Sequence, residues 1–467
     1  MSDSETRETP PENPEALFLR ASQLHAAGRL EEAKAVIQAM LATTPNHAGA
    51  LNLLAIIFGQ QGDLGRACDL VAQAIDHDGA NPIYHRNLCE LRRQNDHAAS
   101  AMEAGRRAVA LAPEDLVARM NLAMAEQDAL ALEAAVANAD FVLARDAENG
   151  SAHFLKAQVA LMQGAFAEGW EEYRWRWKIP GAERPHPAGS VPEWDGATMA
   201  GTLLLIADQG FGDMIQFSRF LPWARERCDQ LVLACPRDIS DLMRRLVPEA
   251  RVVTELNAAK DVAAYEVFSS LPGLAGTRLG SVPLADGYLT VDPVRQSRWH
   301  KRLAQLAPGP NRLVGLVWAG RREHRGDRMR SMPLAAFQPL LALPGVAYIA
   351  LQKSEPVAQI GRYFGPAPLI NLGPELEDFD DTAAVLTELD LLVSVDTSVV
   401  HLAGALGRPA HALLPFRPDW RWLLGRSDTP WYESVTLWRD EAPRTRPATV
   451  ARLAEFLAKT WEVSAVA

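Results

Sequence analysis

From residue 14 to about 172, apolar residues recur three and four positions apart with polar residues between them, the pattern of successive amphipathic helices. A longer period runs through the same stretch: Gly28, Gly62, Asp96, Leu130 and Gly164 stand 34 residues apart. Five positions after each comes a small residue: Ala33, Ala67, Ala101, Ala135 or Gly169. Seven positions before each comes another: Ala21, Ala55, Cys89, Ala123 or Ala157. Pro45 and Pro113 fall two periods apart, with Gly79 between. Small residues at fixed places let paired helices approach closely, and a turn residue between them makes each unit a helix hairpin. Leu130 fits the turn column least well.

From Gly201 the pattern shortens to apolar, β-rich runs alternating with amphipathic segments. Leu203–Ala207, Gln230–Ala234, Arg251–Thr254 and Glu266–Ser269 are expected as strands, with a helix beginning near Asp213. After a connecting stretch, "SVPLADGYLTVDPVRQS", a second series begins. Leu313–Trp318, Val346–Leu351, Leu391–Val395 and Ala410–Pro415 are expected strands, with helices near 333–342, 378–388 and 397–407. A terminal helix, 449–461, is expected to pack back on the first series. Strands alternating with helices predict parallel sheets, with ligands at the carboxyl ends of the strands. Recurrence at 34 residues resembles the tetratricopeptide repeat, whose stacked hairpins form a solenoid with a concave binding face. The predicted class is therefore α plus α/β. A disordered acidic tail (1–13) precedes repeats (14–180), a linker (181–195) and two Rossmann-like halves (196–300 and 301–467). The aromatic run "WEEYRWRWKI" at 170–179 reads either as a ligand platform or as packing between the last repeat helix and the next domain.

Composition narrows the function. The formal charge of −11 argues against wholesale nucleic-acid binding. The four cysteines form neither a CxxC nor a Cys/His cluster, and the expectation is reduced thiols and no metal site. No signal peptide is read at the N-terminus, and no apolar run reaches the ~18 residues of a membrane helix, so a soluble, cytoplasmic protein without membrane insertion is expected.

Three stretches carry candidate chemistry. In "DQGFGDMIQF" a strand runs into Gly210, Gly212 and a helix, yet Ile215 stands where a dinucleotide fingerprint needs its third glycine. Asp213 also opposes a phosphate: two like charges ~4 Å apart at an effective dielectric of ~20 repel by roughly 4 kcal/mol. Asp213 reads either as a helix-start carboxylate favoured by the helix dipole or as a general base for an acceptor hydroxyl. The neighbouring glycines permit close approach of another molecule. In "SVDTSVVHLAGALGRP", Asp396, Thr397 and Ser398 open a helix and His401 lies one turn in. The free amides and hydroxyls suit a phosphate, Asp396 suits a cap or sugar hydroxyls, and an ordinary cap beside a packed histidine is the alternative. In "RREHRGDRMRS" five arginines fall within ten residues after a predicted strand end, suited to a phosphate or to solvent. "LQK" adds Lys353 at the same sheet edge.

The segments "GFGDMIQFSRFLP", "GLVWAG", "RSMPLAAF", "LQK", "SVDTSVVHLAGALGRP" and "LLPFRPDWRWLLGRSDTPWYESVTLWR" together resemble the GT-B glycosyltransferases related to bacterial heptosyltransferases, in the version preceded by tetratricopeptide repeats. The resemblance covers nearly the whole chain. It implies inverting, metal-independent sugar transfer from a nucleotide-sugar co-substrate, with no cofactor. Asp213 would be the general base, with Gly210, Gly212 and Gln216 on the acceptor side. The donor would be held by Arg330, Gln352, Lys353, Asp396, Thr397, Ser398 and His401. Arg330 stands where heptosyltransferases usually carry lysine, which bears on donor identity. Asp419, Trp420 and Trp422 would line a base pocket or belong to the core. The repeat architecture further resembles protein O-glycosyltransferases, including those modifying flagellin with nonulosonic acids such as pseudaminic or legionaminic acid. The acceptor would then be a protein Ser/Thr presented on the concave face. A glycan or lipid-linked acceptor and a non-catalytic scaffold are the alternatives.

Overall fold

The computed structural model describes residues 13–309, 312–322, 326–443 and 445–463. The expected N-terminal tail falls almost entirely outside them. The chain divides into two compact units: one runs to Val159 and includes Lys178–Pro180, and the other comprises Ala160–Trp177 and everything from Gly181.

The first unit is a helical-repeat solenoid. Its hairpins are α1 (Pro14–Ala26) with α2 (Leu30–Thr43), α3 (Ala48–Gln60) with α4 (Leu64–His77), α5 (Pro82–Gln94) with α6 (Ala98–Leu111), and α7 (Leu116–Asp128) with α8 (Leu132–Leu143). The division between units then runs through α9 (Gly150–Met162), which α10 (Phe166–Tyr173) follows. Every residue of the 34-spaced turn column has positive φ: 73° at Gly28, 84° at Gly62, 59° at Asp96, 59° at Leu130 and 82° at Gly164. The column is thus a left-handed backbone position, free of cost for glycine and worth roughly 1–2 kcal/mol against leucine. The small-residue columns are equally uniform. Ala21, Ala55, Cys89, Ala123 and Ala157 are wholly buried, as are Ala33, Ala67, Ala101 and Ala135. Asn13, Asp63, Asn81 and Asp115 cap α1, α4, α5 and α7 through their side chains.

The second unit holds two parallel sheets. The four-stranded sheet has the order β3-β2-β1-β4, with β1 Thr202–Ile206, β2 Gln230–Ala234, β3 Arg251–Val253 and β4 Val262–Val267. The six-stranded sheet has the order β10-β9-β8-β5-β6-β7. Its strands are β5 Arg312–Val317, β6 Val346–Ala350, β7 Leu369–Asn371, β8 Leu391–Val395, β9 Ala410–Leu414 and β10 Val435–Arg439. Every residue of β1, β6 and β8 is buried, as expected of strands covered on both faces. In the larger sheet the chain builds outward from β5 in one direction, then returns to its other side with β8. A crevice opens at such a reversal.

Among the helices beside these sheets are α11 (Phe211–Ser218) after β1, α12 (Arg237–Leu246), α13 (Pro293–Leu306), α14 (Phe379–Glu388) and α15 (Ser398–Ala405) after β8. An ion cluster joins the two sheets' helices. Arg245 of α12 pairs with Asp380 of α14. Arg295 of α13 reaches Asp378 at 2.7 Å and Asp381 at 3.0 Å. The Trp299 indole N–H donates to Asp381 at 3.0 Å. Burial works against the ionised Asp381, but these donors and the nearby arginines outweigh it and hold its carboxyl below the usual range.

Several expectations are corrected. The terminal helix, α16 (Arg446–Thr460), does not return to the first sheet; Val450, Leu453, Ala454 and Leu457 are buried in the core of the six-stranded one. The connecting stretch before residue 297 runs into α13. Strands β7 and β10 were not expected, and β4 begins four residues before its expected start. Of the two readings of the aromatic run around 170, packing is the one realised: Trp170 meets Trp420 edge-on at 5.4 Å, Tyr173 lies 5.8 Å from Trp420, and Phe166, just before the run, stacks on Trp431 at 5.6 Å. That packing is why compactness assigns residues 160–177 to the α/β unit. The linker is fixed as well, since Trp194 N donates to Tyr265 O at 2.8 Å and Tyr265 N donates to Pro192 O at 3.0 Å.

Candidate functional site

Helices α11 and α15 each begin at the carboxyl end of a central strand, and they pack on each other. The glycine between Phe211 and Asp213 permits this: a β-carbon on Gly212 would lie 2.9 Å from His401 Cδ2 and 3.5 Å from Ser398 Cα. The close approach expected at this glycine is therefore made by α15. The same contact brings the "GFGD" turn beside the "DTSVVH" turn, although the two are far apart in sequence.

At the "GFGD" turn, Gly210 is the N-cap of α11 and Asp213 is its third residue. Asp213 Oδ2 accepts from Gly210 N at 3.0 Å, so the helix-start reading is realised geometrically. Asp213 Oδ1 pairs with Arg421. Gln216, expected on an acceptor-side loop, is instead inside α11 and wholly buried, and neither side-chain amide atom has a partner. A helix of apolar neighbours, Met214, Ile215 and Phe217, carries it inward.

At the second turn, the N-cap of α15 is Thr397, and no side chain caps the helix. The expected cap at Asp396 is corrected accordingly. Thr397 Oγ1 pairs with Ser394 Oγ at 3.0 Å, so this hydroxyl is not turned to the helix amides. His401 Nδ1 shares a hydrogen bond of 3.0 Å with the Tyr432 hydroxyl, and its ring stacks 5.0 Å from that of Trp422. His401 Nε2 lies 3.9 Å from Asp396 Oδ1. Burial, joined by the cations of Arg421, Arg219 and Arg330, pushes His401 down to about 3. Burial and the Asp419 carboxylate push Asp396 up to about 6, against the opposing pull of Arg330. Near pH 7 the imidazole is neutral and offers one N–H, while Asp396 remains mostly ionised.

The remaining predicted residues surround the end of β5. Arg330 lies over Gly320, where a β-carbon would come within 2.6 Å of Nη2, and its Nε is 3.4 Å from Asp327 Oδ1. Of the arginine-rich loop, Arg325 lies outside the described residues. Arg322 makes an exposed pair with Glu355 at 2.7 Å, a kind of pair that contributes little. Gln352 is buried and its amide is used by the main chain: Oε1 accepts from Trp318 N and Ala319 N at 3.1 and 3.0 Å, and Nε2 donates to Ala319 O and Lys353 O at 3.0 and 3.1 Å. It braces the ends of β5 and β6. Exposed Lys353 donates to Leu376 O at 2.6 Å. Trp420 and Trp422 are buried among other aromatics and belong to the core.

Arg421 is the residue that sequence reasoning missed. It is 8% exposed. Its Nη1 donates to Asp419 Oδ1 at 2.8 Å, its Nη2 pairs with Asp213, and Nη2 also donates to Gln209 Oε1 at 3.3 Å. Burial alone would lower its pKa, but the carboxylates of Asp213 and Asp419 reverse that and hold it above the usual arginine value. Its signal in the sequence is faint: one cation between two tryptophans, in a segment read for its aromatics.

The chain matches no protein-family profile. Among curated proteins it is similar to Protein FlbA of Caulobacter vibrioides, 28% identical over 374 residues, which cover 74% of this chain and 62% of FlbA. The chain thus spans less than two thirds of that relative. Among solved structures, YrrB, described as a TPR protein with an unusual peptide-binding site, is 18% identical and covers 35% of this chain and 84% of its own, with a TM-score of 0.32. MamA from Desulfovibrio magneticus is 15% identical and covers 37% and 97%, with a TM-score of 0.33. At these scores the likeness adds nothing to the helical repeats already seen.

Proposed function

We propose that the chain is a glycosyltransferase of GT-B type that moves a sugar from a nucleotide-sugar to a Ser/Thr hydroxyl of a protein acceptor. The observation that carries this reading is the Gly212–His401 approach, which sets Asp213 beside the Asp396–His401 turn at the carboxyl ends of two parallel sheets. Strand order supports it. Counted within each sheet, both follow the doubly wound arrangement, and the larger matches the order of dinucleotide-binding folds. In the reaction, Asp213 takes the acceptor hydroxyl's proton and the acceptor oxygen bonds to the anomeric carbon. The bond from that carbon to phosphate breaks, and the nucleotide leaves with the electron pair. Arg330, Lys353 and the uncapped start of α15 are the groups suited to the departing charge. Flagellin and a nonulosonic donor are the first acceptor and sugar class to try, on the strength of the resemblance. The repeat solenoid suits a protein acceptor better than a lipid-linked one.

A second reading is favoured by one observation: the Asp213 carboxylate is engaged on both oxygens, as a purely structural cap would be. In that case the chain is a non-catalytic scaffold. Asp213→Asn separates the two. The transferase reading expects transfer to vanish, with binding of UDP-, GDP-, ADP- or CMP-containing ligands in a thermal-shift screen retained. Full transfer by the variant would remove the base. The acceptor is tested by intact-mass measurement of flagellin from cells with and without the protein; an unchanged mass would eliminate flagellin.

A further inference from the structure

We infer that Arg421 is the positioning residue for Asp213, holding its carboxylate toward the acceptor. The inference rests on the transferase reading above. Three independent features place the guanidinium. First, Asp419 Oδ1 accepts from Arg421 N at 3.0 Å and from Nη1 at 2.8 Å, so one carboxylate locks both main chain and side chain. Second, the guanidinium carbon lies 4.3 Å from the Trp420 ring centre, which restricts the plane of the group. Third, Gln209 holds Nη2 from the other side. Its Oε1 accepts from Arg421, and its Nε2 donates to the Tyr173 hydroxyl at 3.0 Å.

Gln209 is itself strained into place. It has φ 64°, a left-handed conformation unfavourable for glutamine, in the turn between β1 and α11. Strain of this kind persists only where the surroundings over-determine it, and it clusters at functional turns. Tyr173, on the far end of the chain of contacts, is buried against Trp170 and Trp420. The succession Tyr173, Gln209, Arg421, Asp213 therefore anchors the carboxylate to a rigid aromatic core. Gly210 N fixes the other carboxylate oxygen. A base so held avoids the cost of ordering during reaction, and a misplacement of about 1 Å costs on the order of 100-fold in rate.

The test uses the purified full-length protein added to unmodified flagellin and the small-molecule extract of cells lacking it, with transfer read from flagellin intact mass. Arg421→Ala is expected to slow transfer about 100-fold while the concentration of flagellin giving half-maximal rate changes less than about 3-fold. Guanidinium ion at millimolar concentration is expected to restore part of that rate, and Arg421→Lys to retain more activity than Arg421→Ala. Gln209→Leu is expected to lose roughly 10-fold, by freeing the guanidinium rather than removing it. Arg421→Ala turning over like the wild type overturns the inference. So does a loss in Arg421→Ala, at unchanged melting temperature, that neither guanidinium nor lysine relieves. Should Arg421→Ala fail to fold, Arg421→Lys and Gln209→Leu decide, and wild-type rates in both overturn it. Asp213→Asn in the same assay tells the two ideas apart: full transfer there removes Asp213 as the base on which the inference rests, whereas an inert Asp213→Asn beside a fully active Arg421→Ala sinks only the positioning role.

Discussion

The repeat unit and the α/β unit use glycine and small residues for different ends. In the repeats, the special positions answer to neighbours in sequence: a left-handed turn residue every 34 positions, and an alanine where a helix meets its partner. In the α/β unit, Gly212 makes room for His401, and Gly404 makes room for Tyr432, whose ring carbon Cγ would lie 2.3 Å from an added β-carbon. The first pattern is periodic and local; the second is a set of single accommodations between remote segments. A substitution at an open turn position of the repeats, such as Gly28 or Gly62, should therefore cost what its backbone costs, whereas one at Gly212 or Gly404 should cost what its packing costs.

The largest test concerns where the two regimes meet. A fragment from residue 160 keeps Phe166, Trp170 and Tyr173, and is expected to unfold cooperatively in urea. A fragment from residue 185 loses all three and leaves Trp420 and Trp431 uncovered, at roughly 3–5 kcal/mol for each large aromatic removed. Equal midpoints for the two fragments would break the assignment of residues 160–177 to the α/β unit.

Next comes His411 on β9, pushed down to about 4 by burial, with Nδ1 accepting from the Trp438 indole at 3.2 Å. Its native pKa lies below the unfolded value near 6.5, so its stabilising effect is present above about pH 6.5 and fades as pH falls toward 4. The fading amounts to at most about 3 kcal/mol. His411→Gln, which keeps an acceptor but does not titrate, should show a smaller loss of urea midpoint between pH 7 and 4 than the wild type. Parallel losses would show that this burial does not matter.

Gly404→Ala should cost about 1–3 kcal/mol through overpacking against Tyr432, seen as a lowered thermal midpoint. The smallest pair sharpens the repeat side. At Gly62 an added β-carbon meets nothing within 4 Å, so Gly62→Ala isolates the backbone term and should cost about 1 kcal/mol. Leu130→Gly should reverse that sign and stabilise by a similar amount, less whatever packing Leu130 provides. If both substitutions destabilise, packing governs the turn column after all.

Legibility in the sequence follows the same line. The repeat columns are visible in the sequence because each is satisfied within one or two units of chain, and even the anomaly at Leu130 stands out as a leucine in a column of turn residues. Central strands such as β1, β6 and β8 were visible as unbroken apolar runs. Edge strand β7, three residues long, carries too little pattern to stand out. Helix α13 buries only Trp299 and Leu303 along 14 residues, so its mostly polar sequence resembled a connection. The "GFGD" and "DTSVVH" turns were each recognisable as strand ends with polar residues.

What the sequence by itself determined is the order of architectures, the 34-residue hairpin period, most strand positions and the two turns from which candidate chemistry projects. All of these depend on interactions between residues near in the chain, where periodicity records them. Only the tertiary structure decided that Gly212 admits α15, that Gln352 and Gln216 turn inward, that the last repeat aromatics belong to the α/β core, and that Arg421 holds Asp213. Those outcomes depend on a β-carbon's worth of space or on one ion pair spanning 208 positions (421 − 213), and no local pattern encodes a partner that distant.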